Sequence, residues 1–583
     1  MSNMSYRTFI HITVSTILAA AACCSAAITL VNQGQSPYSI VLSAQASASE
    51  KRGAAELAMH IRQMSGAQLP IVTDDGPLPE AAVIVGANRH TEPADAGLGP
   101  DGFRLYTRDR RIFIVGSRVR GTMYGCTELL ERLGVRWYTP KVTFIPRKAT
   151  IEVPELDLRQ IPAFEYREAF FTEAFGDKDW AARMRFNGNS CRLDESTGGK
   201  ITYHPFVHSF DDLIPPSLYK EHPEYFPLIK GKRADGYRQR CLSNPDVLKL
   251  AIDKVRQWIR ERPAATIYSV SQNDCYETCE CDACKQIMDR YGGVHSGLYL
   301  WFVNQIAEAI EKDHPDKLID TLAYQFTEAA PTGIVPRKNV RIRLCPISVC
   351  EAHPYEKCSH PNTVRFVKNL AAWAKITDTL YIWHYNTNFA NYLMPFPDFE
   401  EFPADTRLYQ RSGVKGIFFQ GAYAAGGGGS DAELRSYVMS RLLWDPSADS
   451  DALVTEWMKG VYGAAWQPMR QWFDRLHEKA RNPEKHFFIY SPPTVHYLSP
   501  DVVAAGDGFF DQAQKLADSD LAREYVAKSR LWLRYVKLSQ SPAVGPELDA
   551  FLADVRGFGI TQLREGQPVD RWEAEYRRRA ERK

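Results

Sequence analysis

Between about residues 160 and 445 the chain repeats one pattern, a short β-rich run followed by a longer stretch with helical spacing. The runs are "FEYREAFF", "NSCRL", either "ITYHPFVH" or "YFPLI", "ATIYSVSQN", "LIDTLAYQF", "VRIRLCPI", "TLYIWHY" and "GVKGIFFQG". Parallel neighbours need a crossover of about a dozen residues or more, which a helix supplies. Eight such units close on themselves, so the expectation is a (β/α)8 barrel over 156–445. One crossover helix is well marked. Asn244 caps it, Pro245 sits in its first turn, and Val247, Ala251, Val255 and Trp258 form its apolar stripe.

Residues 28–155 read as a small α/β domain, with short runs such as "YSIVLS", "AAVIVG", "FRLYT" and "RIFIVG" around two helices. The first helix opens on the capping box Ser47 to Glu50, and the second is "RGTMYGCTELLERLG". Residues 446–583 read as helical, with no strand signal of comparable strength.

The N-terminus carries Arg7, an apolar run from Phe9 to Ala22 and the small residues "CCSAA". This is the layout of a secretory signal peptide over 1–27, because a membrane span needs about 20 apolar residues. Cys23 or Cys24 offers an alternative lipid anchor, although Ala20 and Ala21 stand where a lipoprotein signal favours a Leu-like residue. No later stretch is apolar enough to span a membrane. The expectation is an exported protein, periplasmic or extracellular. With 44% hydrophobic and 24% charged residues the chain can bury large cores, and a formal charge of +1 argues against a nucleic-acid partner.

In a parallel barrel the chemistry sits at the C-terminal strand ends. Those ends carry Arg167 and Glu168, Asp194 and Glu195, His204 and His208, then Gln272, Asn273 and Asp274. Further along come Tyr324, Gln325 and Glu328, then Trp383, His384, Tyr385 and Asn386, and lastly Gln420. Carboxylates, amides and aromatic rings together suit a neutral, hydroxyl-rich ligand such as an oligosaccharide. Glycosidic cleavage needs a proton donor and a second group facing the oxocarbenium-like centre. Asp274 beside Asn273 is the first choice for that machinery, with Glu328 and Glu168 behind it. Gln272, Tyr324, Trp383, His384, Tyr385, Gln420, Arg167 and His208 are the candidate substrate contacts. The competing reading makes Asp274 a helix cap or turn residue.

The runs "YSVSQND", "CECDAC", "SGLYLWFVNQIAEAI", "YIWHYNTNFANYLMPFPDF", "GVKGIFFQGAY" and "ELRSYVMSRLLWDP" give the chain a further likeness. It resembles the domain-of-unknown-function family 4838, part of which is classed as glycoside hydrolase family 163. That resemblance implies a barrel preceded by an α/β domain like those of hexosaminidases and α-glucuronidases. It also implies endo-β-N-acetylglucosaminidase activity on N-glycans. No catalytic residue is carried over from it.

Three features remain. Cys275, Cys279, Cys281 and Cys284 crowd one loop, and Cys345 and Cys350 follow a later strand. In an exported protein disulfides are the expected reading. Zinc and free thiols are the alternatives, and zinc is disfavoured because only one Cys-x-x-Cys knuckle is present. No metal and no cofactor are therefore assigned. The stretch "GAYAAGGGGSDAEL" reads as a mobile loop before a helix capped by Ser430 and Glu433. An acidic sugar is the rival substrate, for which Arg167, Arg192 or Arg343 would supply the cation. A glycan-binding protein without turnover is the reading from outside enzymology.

Overall fold

The computed structural model describes residues 27–582. The expected signal peptide, with Cys23 and Cys24, lies outside the described residues but for Ala27.

The first unit is a six-stranded mixed sheet in the order 157–160, 103–108, 111–116, 82–85, 39–42, 71–73. Helices α1 (Ala48–Ser65) and α2 (Gly121–Arg132) pack together beside it. α1 begins as its sequence dictates, with the Ser47–Glu50 capping box fully formed. The helices cross closely because position 53 is glycine: a Cβ there would lie 3.0 Å from the Cys126 sulfur and 3.1 Å from Met123 Cα.

The second unit is a curled parallel sheet of six strands. In chain order they are β1 (Tyr166–Phe170), β2 (Ile267–Ser269), β3 (Leu318–Tyr324), β4 (Val340–Cys345), β5 (Leu380–Tyr385) and β6 (Gly416–Gln420). Their spatial order is β1-β6-β5-β4-β3-β2, all parallel. Crossover helices include α3 (Pro245–Glu261), α4 (Asp282–Arg290) and α5 (His295–Asp313). Asn244 caps α3 by accepting from the Asp246 amide at 2.8 Å.

The expected count of eight strands is not met among the described residues. "NSCRL" forms turns, and "YFPLI" contributes only Leu228–Ile229 to a separate two-stranded ribbon. "ITYHPFVH" makes a single parallel bridge, Tyr203 to Ile267. It cannot extend, because Pro205 has no N–H to donate and Val207 and His208 take φ of 41° and 53°. These irregular segments still cross the gap between β1 and β2. The Asn187 amide donates to the Arg167 carbonyl at 3.1 Å, and the Ile201 amide to the Asn187 carbonyl at 2.9 Å.

Two buried charges tie this architecture together. Asp101 of the first unit accepts from Arg167 of β1 at 3.0 Å and from Asn187 at 3.1 Å, and it also pairs with Arg120. Burial alone would raise the Asp101 pKa, but the two guanidiniums outweigh it and hold the carboxyl below its ordinary range. Inside the curl of the sheet, Arg343 is completely buried in a cage of rings from Tyr166, Tyr203, Phe206, Trp383 and Phe418. Its Nε lies 3.6 Å from Asp320, and it donates to the Tyr203 hydroxyl.

After α6 (Ala432–Trp444) the chain is helical, as expected, with long helices such as Trp466–Ala480 and Asp520–Gln540. One departure matters below. A short antiparallel hairpin, β7 (Gln562–Arg564) and β8 (Gln567–Pro568), interrupts the helices near the end. No helix among the described residues is long and apolar enough to cross a membrane.

Candidate active site

At the C-terminal end of the curled sheet lies a cavity of about 310 Å³. β3, β4, β5 and β6 present Tyr324, Cys345, Trp383, Tyr385 and Gln420 to it, the positions where parallel strands expose side chains at their carboxyl ends. His208 and Asp274 enter from the irregular segment and from the loop after β2. The far wall was not foreseen. Tyr423 follows β6, Ile489 and Tyr490 come from a loop between C-terminal helices, and Glu565 comes from the turn between β7 and β8.

Asp274 is exposed on this cavity, and its amide donates to the Tyr237 hydroxyl at 2.9 Å. Opposite it, Glu565 accepts from the Tyr423 hydroxyl at 2.9 Å, and its amide is anchored on the Phe389 carbonyl at 2.9 Å. Burial pushes the Glu565 pKa up, the Tyr423 hydrogen bond pulls against it, and the charge of Asp274 adds to the rise. Such a carboxyl keeps its proton to higher pH than an ordinary glutamate. Burial and the same Asp274 charge also raise the Tyr324 pKa, so its hydroxyl stays protonated. The Trp383 indole donates to Gln420 Oε1 at 2.7 Å, which leaves the Gln420 amide NH2 as the donor free for a ligand.

Several predicted contacts lie elsewhere. Asn273 is buried, its amide committed to the Arg238 carbonyl at 2.9 Å and to Asp211. Gln272 is buried against Thr327 at 2.8 Å. Glu168 lies beneath the cavity, where it accepts from the Tyr166 hydroxyl and from the Ser190 amide at 2.7 Å. Glu328 faces the outer helices and accepts from Asn369 at 2.6 Å. His384 points away from the cavity, bonded to the Tyr409 hydroxyl at 2.7 Å and lying 3.1 Å from Glu401. Burial drops its pKa to about 4. Arg167 is spent on Asp101, and Asp194 caps a short 3-10 turn. Alternation explains His384, because on a strand only every second side chain faces the cavity. Tyr385 faces it and His384 does not.

The expected disulfides are absent: all ten cysteines among the described residues are free. Cys345 is a buried thiol whose pKa is raised by desolvation, and Cys275 stands apart, half-buried with its sulfur accepting from the Gln239 amide at 3.3 Å. The remaining four candidates lie in two sulfur-rich clusters that also recruit Cys241, His353, Cys358 and His486.

The glycine-rich stretch packs closely against the C-terminal region. A Cβ on Gly426 would lie 1.8 Å from the Gly559 carbonyl oxygen, and one on Gly428 would lie 2.5 Å from Ile560. Their φ values of 85° and 96° also favour glycine. The glycines thus let the β6 loop lie directly on the C-terminal region, Gly426 against the Gly559 backbone and Gly428 against the Ile560 side chain. The Ser430–Glu433 capping box does not form, since α6 starts after Asp431 with no side-chain cap.

The profile of one protein family, described as "Domain of unknown function (DUF4838)", matches residues 137–474, more than half of the chain. The chain belongs to the DUF4838 family. No curated protein matches it. Two of the solved structures that resemble this DUF4838 chain are carbohydrate-active enzymes. One is a family GH115 4-O-methyl-α-glucuronidase, BtGH115A, with specificity for decorated arabinogalactans. It has a TM-score of 0.54 and 12% identity, over 91% of this chain and 76% of that one. The other is a GH138 enzyme targeting pectin rhamnogalacturonan II, with a TM-score of 0.51 and 12% identity over 89% of this chain and 73% of that one. At such identity the likeness describes the fold of the DUF4838 chain alone. Neither Glu565 nor Tyr490 lies within the matched 137–474 segment.

Proposed function

We propose that this DUF4838 protein is an exported glycoside hydrolase of the β-N-acetylglucosaminidase type, acting on N-glycans or related N-acetylated glycans. The observation that carries the reading is the pairing of Asp274 and Glu565 on one small aromatic-walled cavity, with Glu565 held toward its protonated form. A pair of carboxyl groups, one of which keeps its proton, is what acid-assisted glycosidic cleavage requires.

In this reading Glu565 delivers the proton to the leaving glycosidic oxygen. Asp274 faces the positive charge that develops at the sugar ring. With an N-acetylated sugar, the substrate's acetamido oxygen attacks the anomeric carbon as the glycosidic bond breaks, while Asp274 orients the acetamido N–H; water deprotonated by Glu565 then opens the cyclic intermediate, and the two inversions give net retention. Trp383 and Tyr385 supply faces for the sugar's C–H side, and Gln420 donates to a hydroxyl. We read the curled sheet with its two irregular crossings as an incomplete (β/α)8 barrel, and the N-terminal unit as its scaffold.

The rival substrate, an acidic sugar, needs a cation in the cavity. No lysine or arginine among the described residues lines it. Arg343 is sealed under the floor beside Asp320, Arg167 is committed to Asp101, and Arg564 lines a different cavity. Two carboxylates and no guanidinium favour a neutral sugar over a uronate.

Incubating the purified protein with N-glycans, chitooligosaccharides and uronate-bearing oligosaccharides tests this directly. Reducing ends released from the N-acetylated set support the proposal. Release from the uronate set alone supports the rival, and binding without release on every arm identifies a glycan-binding protein.

A further inference from the structure

We infer that the chain binds two zinc ions, one held by four cysteines and one held by two cysteines and two histidines, which pin opposite sides of the cavity.

In the first cluster the sulfurs of Cys241, Cys279, Cys281 and Cys284 all lie within 4.8 Å of one another. Cys241 Sγ is 3.7 Å from Cys281 and 4.0 Å from Cys284. A disulfide would put a pair at about 2.05 Å. A tetrahedral zinc with Zn–S bonds of about 2.3 Å spaces its sulfurs by about 3.8 Å. The observed spacings match the tetrahedron's edges. The surroundings suit thiolates: the Leu228 amide donates to Cys279 Sγ at 3.3 Å, Arg233 lies 3.8 Å from the same sulfur, and Cys284 sits in the first turn of α4. The second knuckle that the local sequence lacks is replaced by Cys241, which arrives from the segment before α3.

The second cluster stands on its own geometry. Cys350, His353 and Cys358 come from the loop after β4, and His486 comes from the C-terminal region. His486 Nδ1 lies 3.3 Å from Cys350 Sγ and 3.8 Å from Cys358 Sγ, and His353 Nδ1 lies 3.6 Å from Cys350 Sγ. For a tetrahedral zinc the sulfur-to-nitrogen edge is about 3.5 Å. The other nitrogen of His353, Nε2, meets the Asn482 carbonyl at 3.1 Å. That carbonyl can only accept, so the ring proton sits on Nε2 and the Nδ1 lone pair faces the cluster. The Ala352 amide donates to Cys350 Sγ at 3.3 Å, as at the first site.

Each site holds a wall in place. The four-cysteine site fixes the loop that follows Asp274, and the mixed cysteine–histidine site ties the β4 loop to the segment bearing Ile489 and Tyr490. Neither depends on the proposed hydrolase activity. The sites are read as structural because all four corners of each are protein ligands.

Elemental analysis of the full purified chain tests the inference, with two zinc ions per chain expected. Titrating the same folded protein with a mercurial reagent should release both ions to a chromogenic chelator. Cys284→Ser and His486→Gln should each lower the zinc content by about one ion. Should either variant fail to fold, cobalt added to metal-depleted native chain gives a second readout, as tetrahedral d–d bands with thiolate charge transfer. Folded protein that contains no zinc and keeps its unfolding temperature in chelator overturns the inference, as does finding these cysteines in disulfides. A content of one ion overturns whichever site keeps its thiols freely reactive.

Discussion

The Tyr423 hydroxyl donates to the Glu565 carboxylate at 2.9 Å, joining residues 142 positions apart. Tyr423 belongs to the loop after β6 and Glu565 to the β7–β8 turn, so the bond fastens the C-terminal hairpin over the end of the sheet. It also tunes the carboxyl. The hydrogen bond stabilises the ionised form, while burial and Asp274 oppose it.

Replacing Glu565 with Gln keeps the size and removes the transferable proton. Turnover on the responsive glycan should fall by about 100-fold or more. Glycan binding and the unfolding temperature should stay close to wild type, because the residue is only partly buried. Full activity in E565Q would return the search to Asp274.

Asp274→Asn should also lower turnover by about 100-fold while leaving binding and stability largely intact. The Asp274 amide donates to the Tyr237 hydroxyl, a bond the substitution does not touch, and the new side-chain oxygen can still accept from Tyr324. A parallel loss of activity, binding and unfolding temperature would make Asp274 a structural residue.

Tyr423→Phe removes the bond that favours ionised Glu565, so the Glu565 pKa should rise further. If Glu565 must be protonated to act, the rate falls as pH rises through that pKa. The alkaline limb of the kcat/KM profile in Y423F should therefore move to higher pH. A shift to lower pH, or none, would separate Glu565 from the proton transfer.

Beneath the cavity, burial raises the Asp320 pKa from 3.8 to about 6 in spite of Arg343 beside it. A carboxyl raised in the folded state contributes stability that is complete below the unfolded pKa and lost as pH climbs through the folded one. The stability of wild type relative to Asp320→Asn should thus fall by about 2 kcal/mol between pH 4 and pH 8, whatever offset the unpaired Arg343 sets in the variant. Denaturant unfolding of both proteins at the two pH values checks this. A difference that is the same at both pH values would mean that Asp320 is ionised throughout the range.

Much of this architecture is legible from residue periodicity. The β-rich runs that became β1 to β6 are dense in Val, Ile, Phe and Tyr, and buried parallel strands need that density. The capping box at Ser47 and the cap at Asn244 are local bonds with local signals. "NSCRL" forms turns beside Gly188, which packs against Glu168, a contact set by tertiary neighbours, whereas "ITYHPFVH" carries its own break in Pro205. Of the site, Asp274, Tyr324, Trp383, Tyr385, Gln420 and His208 were readable from strand ends. Glu565 was not, for it lies in the polar stretch "TQLREGQPVD", where nothing local separates it from a solvated turn glutamate. The two cysteine-rich clusters hid for the same reason: Cys241 and His486 are remote in sequence from the groups they complete.

The glycine contact between the β6 loop and residues 559–560 bears on how such sites diversify. Where Gly426 meets the Gly559 carbonyl, backbone lies on backbone and few side chains must match, so a different C-terminal segment could be grafted on at that point with little repacking. The sheet would keep Asp274 and its aromatic floor, while the graft would bring its own counterpart to Glu565 and Tyr490. The proposed acid, Glu565, would then be an interchangeable part, and a change of ligand preference would require no alteration to the strands.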